Sequence, residues 1–335
     1  MLALNALRKK PRNFSFKDKV VIITGGSRGL GLVLARQFAK EGALLALCAR
    51  DEEELDKARK DLEERGAKNV IDVVCDVTKQ EIVNEMVQNV RAYYGRIDAL
   101  INNAGIIQVG PIEVQTIEDF EQAMDVHFWG PLYTMLAILP EMQERKTGRI
   151  INIASIGGKI SVPHLAPYNA SKFALVGLSS ALRNELVKDN VFVTTVCPGL
   201  MRTGSHINAV FKGQNKAEFA WFSISDSLPF ISTNAERAAN QIISASKRGD
   251  AELVITLPAQ LAVVAHALLP ELTAEILSLT NRLLPSAGGI GTNHALGKES
   301  ASAFAPSILT ALADKASLKN NELSYKDIYV EALRG

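Results

Sequence analysis

Short runs of branched apolar residues alternate along most of this chain with longer stretches whose apolar positions recur every three to four residues. The first run, Val20-Val21-Ile22-Ile23, is apolar at every position, as a strand buried on both faces of a parallel sheet must be. The stretch after it is amphipathic to Lys40 and stops at Gly42. The pair of patterns then repeats. Strands are predicted over 44–48, 70–75, 99–102, 150–154, 191–197 and 253–256. Asp51 with Glu54 reads as a helix start, with the helix stopping at Gly66. Thr78 with Glu81 reads as the next start, with an end before Gly95. This order predicts an α/β fold: a doubly wound, Rossmann-like parallel sheet of about seven strands, helices on both faces and right-handed crossovers. Ligands of such sheets bind beyond the carboxyl ends of the strands. Thr24, Ala49-Arg50, Asp76, Asn103, Ser155 and Pro198 all fall at those ends.

The alternation ends near Leu257. Pro258 to Leu269 and Glu271 to Leu284 follow as two apolar helical segments broken at Pro270, and 306–321 reads as one more short helix. The longest run without a formal charge, 253–270, contains a strand and Pro258. What remains is shorter than the ~20 residues that cross a bilayer. Seven leucines (Leu261, Leu268, Leu269, Leu272, Leu277, Leu279, Leu283) need cover. It is expected from the aromatic segment around Trp221 and Phe222, a second subunit or a membrane surface. The chain thus divides into a basic N-terminal arm (1–15), an α/β domain (16–257) and a helical extension (258–335).

Composition narrows the picture. The chain has 335 residues, 47% of them hydrophobic, enough for one large core with an extension. Thirty-seven basic and 36 acidic residues leave a net charge of +1, so nothing pulls it toward nucleic acid. Cys48, Cys75 and Cys197 sit in or beside apolar runs, as buried residues of a reducing compartment rather than a disulfide framework or metal set. No metal site is expected. Met1 to Leu7 is too short for a signal core, and Arg8, Lys9, Lys10 and Arg12 follow it rather than precede it. A cytoplasmic location is expected. Contact with a membrane surface is left open through the arm or 258–285.

Two constellations carry chemistry. Thr24-Gly25-Gly26-Ser27-Arg28-Gly29-Leu30-Gly31 lies between a strand and a helix, where glycines let backbone approach a pyrophosphate at a helix N-terminus. Tyr168 and Lys172, four apart, share one helix face. A lysine ammonium there favours the tyrosine anion, so the phenol moves toward proton exchange with an alcohol or carbonyl oxygen. Ser155 stands thirteen residues before the tyrosine, and its hydroxyl could hold that oxygen. Where an NAD enzyme tends to carry a carboxylate after the second strand, this chain has Ala49, then Arg50. Arg28 and Arg50 suit a 2′-phosphate, which favours NADP over NAD. Asp51 is the counter-argument, though it serves equally as a helix cap.

These residues, with Asp76-Val77, Asn102-Asn103-Ala104-Gly105 and Pro198-Gly199, resemble the short-chain dehydrogenase/reductase family in order and spacing, over roughly Phe16 to Pro258. The resemblance implies that Tyr168 is the general acid/base. It implies that Lys172 lowers the tyrosine pKa and holds the nicotinamide ribose, and that Ser155 stabilises the reacting oxygen. Asp76 would contact the adenine, Asn103 to Gly105 would support the cofactor, and Thr203 would bind the nicotinamide amide. It also implies a substrate lid over 199–232. That segment is rich in Leu200, Met201, Phe211, Phe219, Trp221, Phe222 and Phe230, which suggests an apolar pocket for a lipophilic substrate or packing onto a neighbour. His164 is either a pocket residue or an exposed loop residue. One position departs from the family. His127 stands where an asparagine usually anchors a proton relay, largely through a backbone carbonyl that a histidine keeps, and its imidazole either titrates near neutrality or packs with a structural hydrogen bond. The expected activity is alcohol–ketone interconversion by a homodimer or homotetramer. The alternatives are reduction of a 3-oxoacyl thioester, which a basic pocket mouth would favour, and a non-catalytic nucleotide sensor.

Overall fold

The computed structural model describes residues 14–229 and 231–323; most of the N-terminal arm and Phe230 lie outside them. Seven strands form one parallel sheet: β1 (Val20–Thr24), β2 (Leu44–Ala49), β3 (Val70–Val74), β4 (Ala99–Asn102), β5 (Gly148–Ile153), β6 (Val191–Pro198) and β7 (Glu252–Ile255). Their order is β7-β6-β5-β4-β1-β2-β3, and every pairing is parallel. The order reverses between β1 and β4, and a crevice opens there at the strands' carboxyl ends.

Alternation along each strand sends successive side chains to opposite layers. Val21 and Ile23 of β1 join the layer beneath α1 (Gly29–Lys40), α2 (Glu52–Glu64) and the helix 235–248. Val20 and Ile22 join the opposite layer, under α3 (Gln80–Tyr94) and the helices 130–144 and 166–186. Both layers are apolar, which is why these strands lack a polar face.

The local signals mostly act where they were expected. Asp51 caps α2 by accepting the Glu54 N–H at 2.9 Å. Helix α3 begins later than its sequence signal, after Lys79. Thr78 is instead drawn back by Asp76, whose carboxylate accepts its N–H at 3.0 Å and its hydroxyl at 2.9 Å. Helix α4 (Ile117–Met124) runs through a π-helical turn (Asp125–Trp129) into α5 (Gly130–Glu144). Helix α6 (Ala166–Leu186) lies between β5 and β6 in sequence. The segment 199–232, expected as a lid, holds α7 (Asn215–Ser227), and α8 (Ala235–Arg248) leads to β7.

The extension divides in two. Helices α9 (Leu257–Leu268) and α10 (Pro270–Asn281) form a hairpin that leaves the apolar side chains in solvent. Leu261 is 62% exposed, Leu268 73% and Leu283 82%. The expected cover from the lid is not made by this hairpin. Trp221 and Phe222 pack instead with Phe211, Phe219 and Ala305. The later segment lies on the body: Ala295–Leu296 pairs with the lid strand Val210–Phe211, and α11 (Ala311–Lys319) sits beside α7. Among the described residues, no helix is long and apolar enough to cross a membrane.

Candidate active site

A cleft of about 820 Å³ runs along the carboxyl edge of the sheet, lined at one end by Arg50 and Asp76 and at the other by Ser155, Tyr168 and Lys172. It also takes in Gly25, Ser27, Arg28, Gly29, Leu30, Val77, Asn103, Ala104, Gly105, Pro198, Gly199 and Thr203. Every site residue expected from the sequence lines it except Gly31. A Cβ on Gly31 would collide with the Gly25 carbonyl, so this glycine lets α1 start tight beneath the turn. Gly25 itself has φ +62° and faces the Ala104 backbone, a place closed to larger residues.

The turn is clasped from the neighbouring strand. Asn103 donates its side-chain amide to the carbonyls of Thr24 (3.1 Å) and Gly25 (3.0 Å). The Thr24 hydroxyl oxygen accepts the N–H groups of Asn103 (3.0 Å) and Ala104 (3.1 Å). Arg50 lines the end of the cleft that also holds Asp76. Arg28 is held by Glu54 at 2.7 Å and approached by Glu322 at 3.4 Å. Sequence reasoning missed both carboxylates. Glu54 was legible only as a helix-start residue, and Glu322 arrives from the far end of the chain.

At the other end, Ser155 follows β5. Its oxygen accepts the Gly157 N–H at 3.0 Å, which leaves its proton free to donate, and it lines the same cleft as the Tyr168 phenol, whose anion it favours. Lys172 is buried and donates to the Ile153 carbonyl at 3.0 Å. Its Nζ lies 5.6 Å from the centre of the Tyr168 ring. The expected lowering of the tyrosine pKa by Lys172 is not what this geometry produces. Burial pushes Tyr168 up to about 12, against the nearby Ser155 hydroxyl, which lowers it. Burial likewise pushes Lys172 down to about 7. Loss of water penalises the charged form of each, and a lysine only partly charged at neutral pH is a weak source of field.

His127 sits in the π-helical turn and is 1% exposed. Its Nε2 accepts the Ile106 N–H at 3.1 Å. Its Nδ1 meets Ser171 Oγ at 2.8 Å, and the Ser171 hydroxyl donates to the Tyr168 carbonyl at 2.9 Å. Ser171 has thus spent its proton, so Nδ1 carries the imidazole hydrogen. The ring packs edge-on to Tyr168, and burial holds its pKa well below the usual range. This is the packed arrangement: a neutral imidazole with both nitrogens engaged, and not a titrating relay.

Two other expectations change. His164 is neither in the cleft nor exposed; it pairs with Glu218 of α7 at 2.8 Å, beside the Trp221 indole that donates to the same carboxylate at 2.6 Å. Phe211, Phe219 and Phe222 form the core of the lid and do not line the cleft. The apolar lining of the cleft includes Ile106, Ile107, Val126, Met201, Val210 and Leu296. Among the described residues, no group of three or more His, Cys, Asp or Glu side chains could hold a metal; the three cysteines are free and buried.

The family model for short chain dehydrogenases matches residues 19–212. The chain belongs to that family. It is 32% identical over 283 residues to the dehydrogenase/reductase SDR family member 7B of Xenopus laevis, covering 83% of this chain and 86% of the other. It is 36% identical over 199 residues to an 11-beta-hydroxysteroid dehydrogenase 1A of Arabidopsis thaliana, covering 59% of this chain and 56% of that one. A solved actinorhodin polyketide ketoreductase with NADPH superposes with a TM-score of 0.64 at 30% identity, over 71% of this chain and 96% of that one. This member of the family is accordingly an NAD(P)-dependent oxidoreductase that acts on CH–OH groups. The clasped glycine turn and the length of the cleft fit a dinucleotide.

Proposed function

We propose that this short-chain dehydrogenase interconverts a secondary alcohol and a ketone on a lipophilic molecule, with NADP as coenzyme. The meeting of Ser155, Tyr168 and Lys172 in the cleft that the glycine turn opens carries this reading. When bound, the coenzyme supplies or accepts a hydride at the substrate carbon. Gly25, Ser27, Gly29 and Leu30 would hold its pyrophosphate half, and Arg28 and Arg50 a 2′-phosphate. Asp76 and Val77 would flank the adenine, and Thr203 and Lys172 would hold the nicotinamide half.

In the reducing direction Ser155 donates a hydrogen bond to the ketone oxygen. Tyr168 gives that oxygen its phenolic proton as the carbon–oxygen double bond opens, and in oxidation it takes the proton back. The Tyr168 pKa of about 12 suits the donor direction at neutral pH. A cation brought against the nicotinamide side of the cleft would favour the tyrosinate that oxidation needs. Ile106, Ile107, Met201, Val210 and Leu296 offer an apolar wall that gains from dehydrating a lipophilic substrate. The cleft carries Asp51, Glu54, Asp76 and Glu322 beside Arg28, Arg50 and Lys172. Such mixed charge lends nothing to the 3-oxoacyl thioester reading. A panel of lipophilic ketones assayed with NADPH and NADH tests the proposal. Absorbance loss is expected with NADPH; turnover with NADH alone would remove the NADP assignment.

A further inference from the structure

The segment after α11 returns to the glycine turn. The Asn320 carbonyl accepts the Gly29 N–H at 2.9 Å. The Asn321 amide donates to the carbonyls of Ser27 at 3.0 Å and Glu54 at 3.3 Å. The Asn320 side chain reaches the other way and donates to the Thr203 carbonyl at 3.0 Å. Residues 320–322 thus tie the phosphate end of the cleft to the threonine at its far side. Glu322 completes the crossing. Its side chain is 4% exposed, it lines the cleft, and it accepts the Asn208 amide at 2.7 Å. It lies against Gly29, where a Cβ would strike its carboxylate.

Gly29 opens α1, and a helix N-terminus favours an anion through its free N–H groups and its dipole. In a dinucleotide cleft that anion is the pyrophosphate. Here the Gly29 N–H is already taken by a carbonyl, and a carboxylate is pressed against the same residue. Two anions in one partly dehydrated place repel strongly. We propose that residues 320–322 are a strap that competes with the coenzyme pyrophosphate for the start of α1, with Glu322 as the competing anion. The strap must swing away for a dinucleotide to seat. Its departure also releases Arg28 from one of its two carboxylates, and Asn208 of the lid from its partner. The strap rests on the reading of this cleft as a dinucleotide site.

The full-length protein and E322Q test it, with E322A as a second variant. The strap lowers the fraction of competent sites, so removing its charge should tighten NADPH binding about tenfold and speed association in stopped flow. A melting temperature close to that of the unchanged protein shows that the fold is kept. Unchanged or weaker NADPH binding in both variants overturns the strap while the dinucleotide reading stands. If neither the unchanged protein nor the variants bind NADPH or NADH, strap and reading fall together. Limited trypsin digestion gives an independent readout at Lys319, just before the strap. Saturating NADPH should hasten cleavage there, whereas protection by NADPH would mean that the strap closes over the coenzyme and would overturn competition.

Discussion

Helices α1 and α9 are both twelve residues long and both rich in leucine, alanine and valine. Eight residues of α1 are buried, whereas α9 buries only Ala259. Apolar content does not separate them; the strand that follows does. The chain after α1 returns to the sheet as β2, parallel to β1, so the helix is drawn across the sheet face and its apolar side, Phe38 included, meets Phe16 and Leu47. Helix α9 follows β7, an edge strand and the last of the large sheet. Among the described residues, no later strand joins that sheet to bring it back. The doubly wound body fixes its side chains by packing on all sides, while the hairpin keeps its leucine stripe free to meet something else. The chemistry belongs to the body, and so should the largest mutational effects.

Tyr168→Phe breaks the body at its reacting group. It removes the transferable proton and keeps the ring that packs against His127. Turnover should fall by about 10²–10⁴, with NADPH affinity retained in a fluorescence titration. Near-normal turnover would mean that another group supplies the proton. Leu34→Ala breaks it at its packing. Leu34 of α1 is fully buried, and the cavity should cost about 2–5 kcal/mol in urea unfolding.

Some of this was legible from the chain and some was not, for physical reasons. The strands, the Asp51 cap and the Tyr168/Lys172 pair depend on neighbours within one turn or one strand, and the sequence displays such neighbours directly. The Asn103 clasp could be placed through its family resemblance. His164 with Glu218 and Arg28 with Glu322 join distant segments, and no local pattern announces them. His127 was ambiguous because its role is decided by Ile106 and Ser171, which reach it only in the fold. The lid aromatics were legible as apolar, but the direction they face is a tertiary fact. The pKa of Tyr168 went opposite to expectation because burial outweighs a partner that is itself buried.

That last point yields a pH test. The folded Lys172 has its pKa depressed from 10.5 to about 7 by burial, whereas in the unfolded chain it keeps its ordinary value. Between those two pH values the unfolded state binds the extra proton, so stability rises with pH. Below about pH 7 both states are protonated and the penalty is at full size. Lys172→Met lacks the titration. From pH 7 to 9 the coenzyme-free protein should therefore gain stability over this variant by up to about 1.4 kcal/mol per pH unit. Parallel stability curves would show that the folded lysine keeps an ordinary pKa.

The smallest expected effect tests the other side of the comparison. Leu257, Leu261, Val264 and Leu268 of α9 recur at helical spacing and are all more than half exposed. An exposed leucine has little burial to lose, so Leu261→Ala should change stability by no more than about 0.5 kcal/mol in dilute solution. The contrast with Leu34→Ala is then a direct measure of how unlike the two helices are. A cost near 2 kcal/mol at Leu261 would break the comparison, because only a covered leucine loses that much. The cover would have to come from outside the described residues. Repeating the unfolding over a range of protein concentrations would separate the sources, since a second subunit makes the cost concentration-dependent. Flotation with vesicles, with and without the substitution, would detect a lipid surface instead.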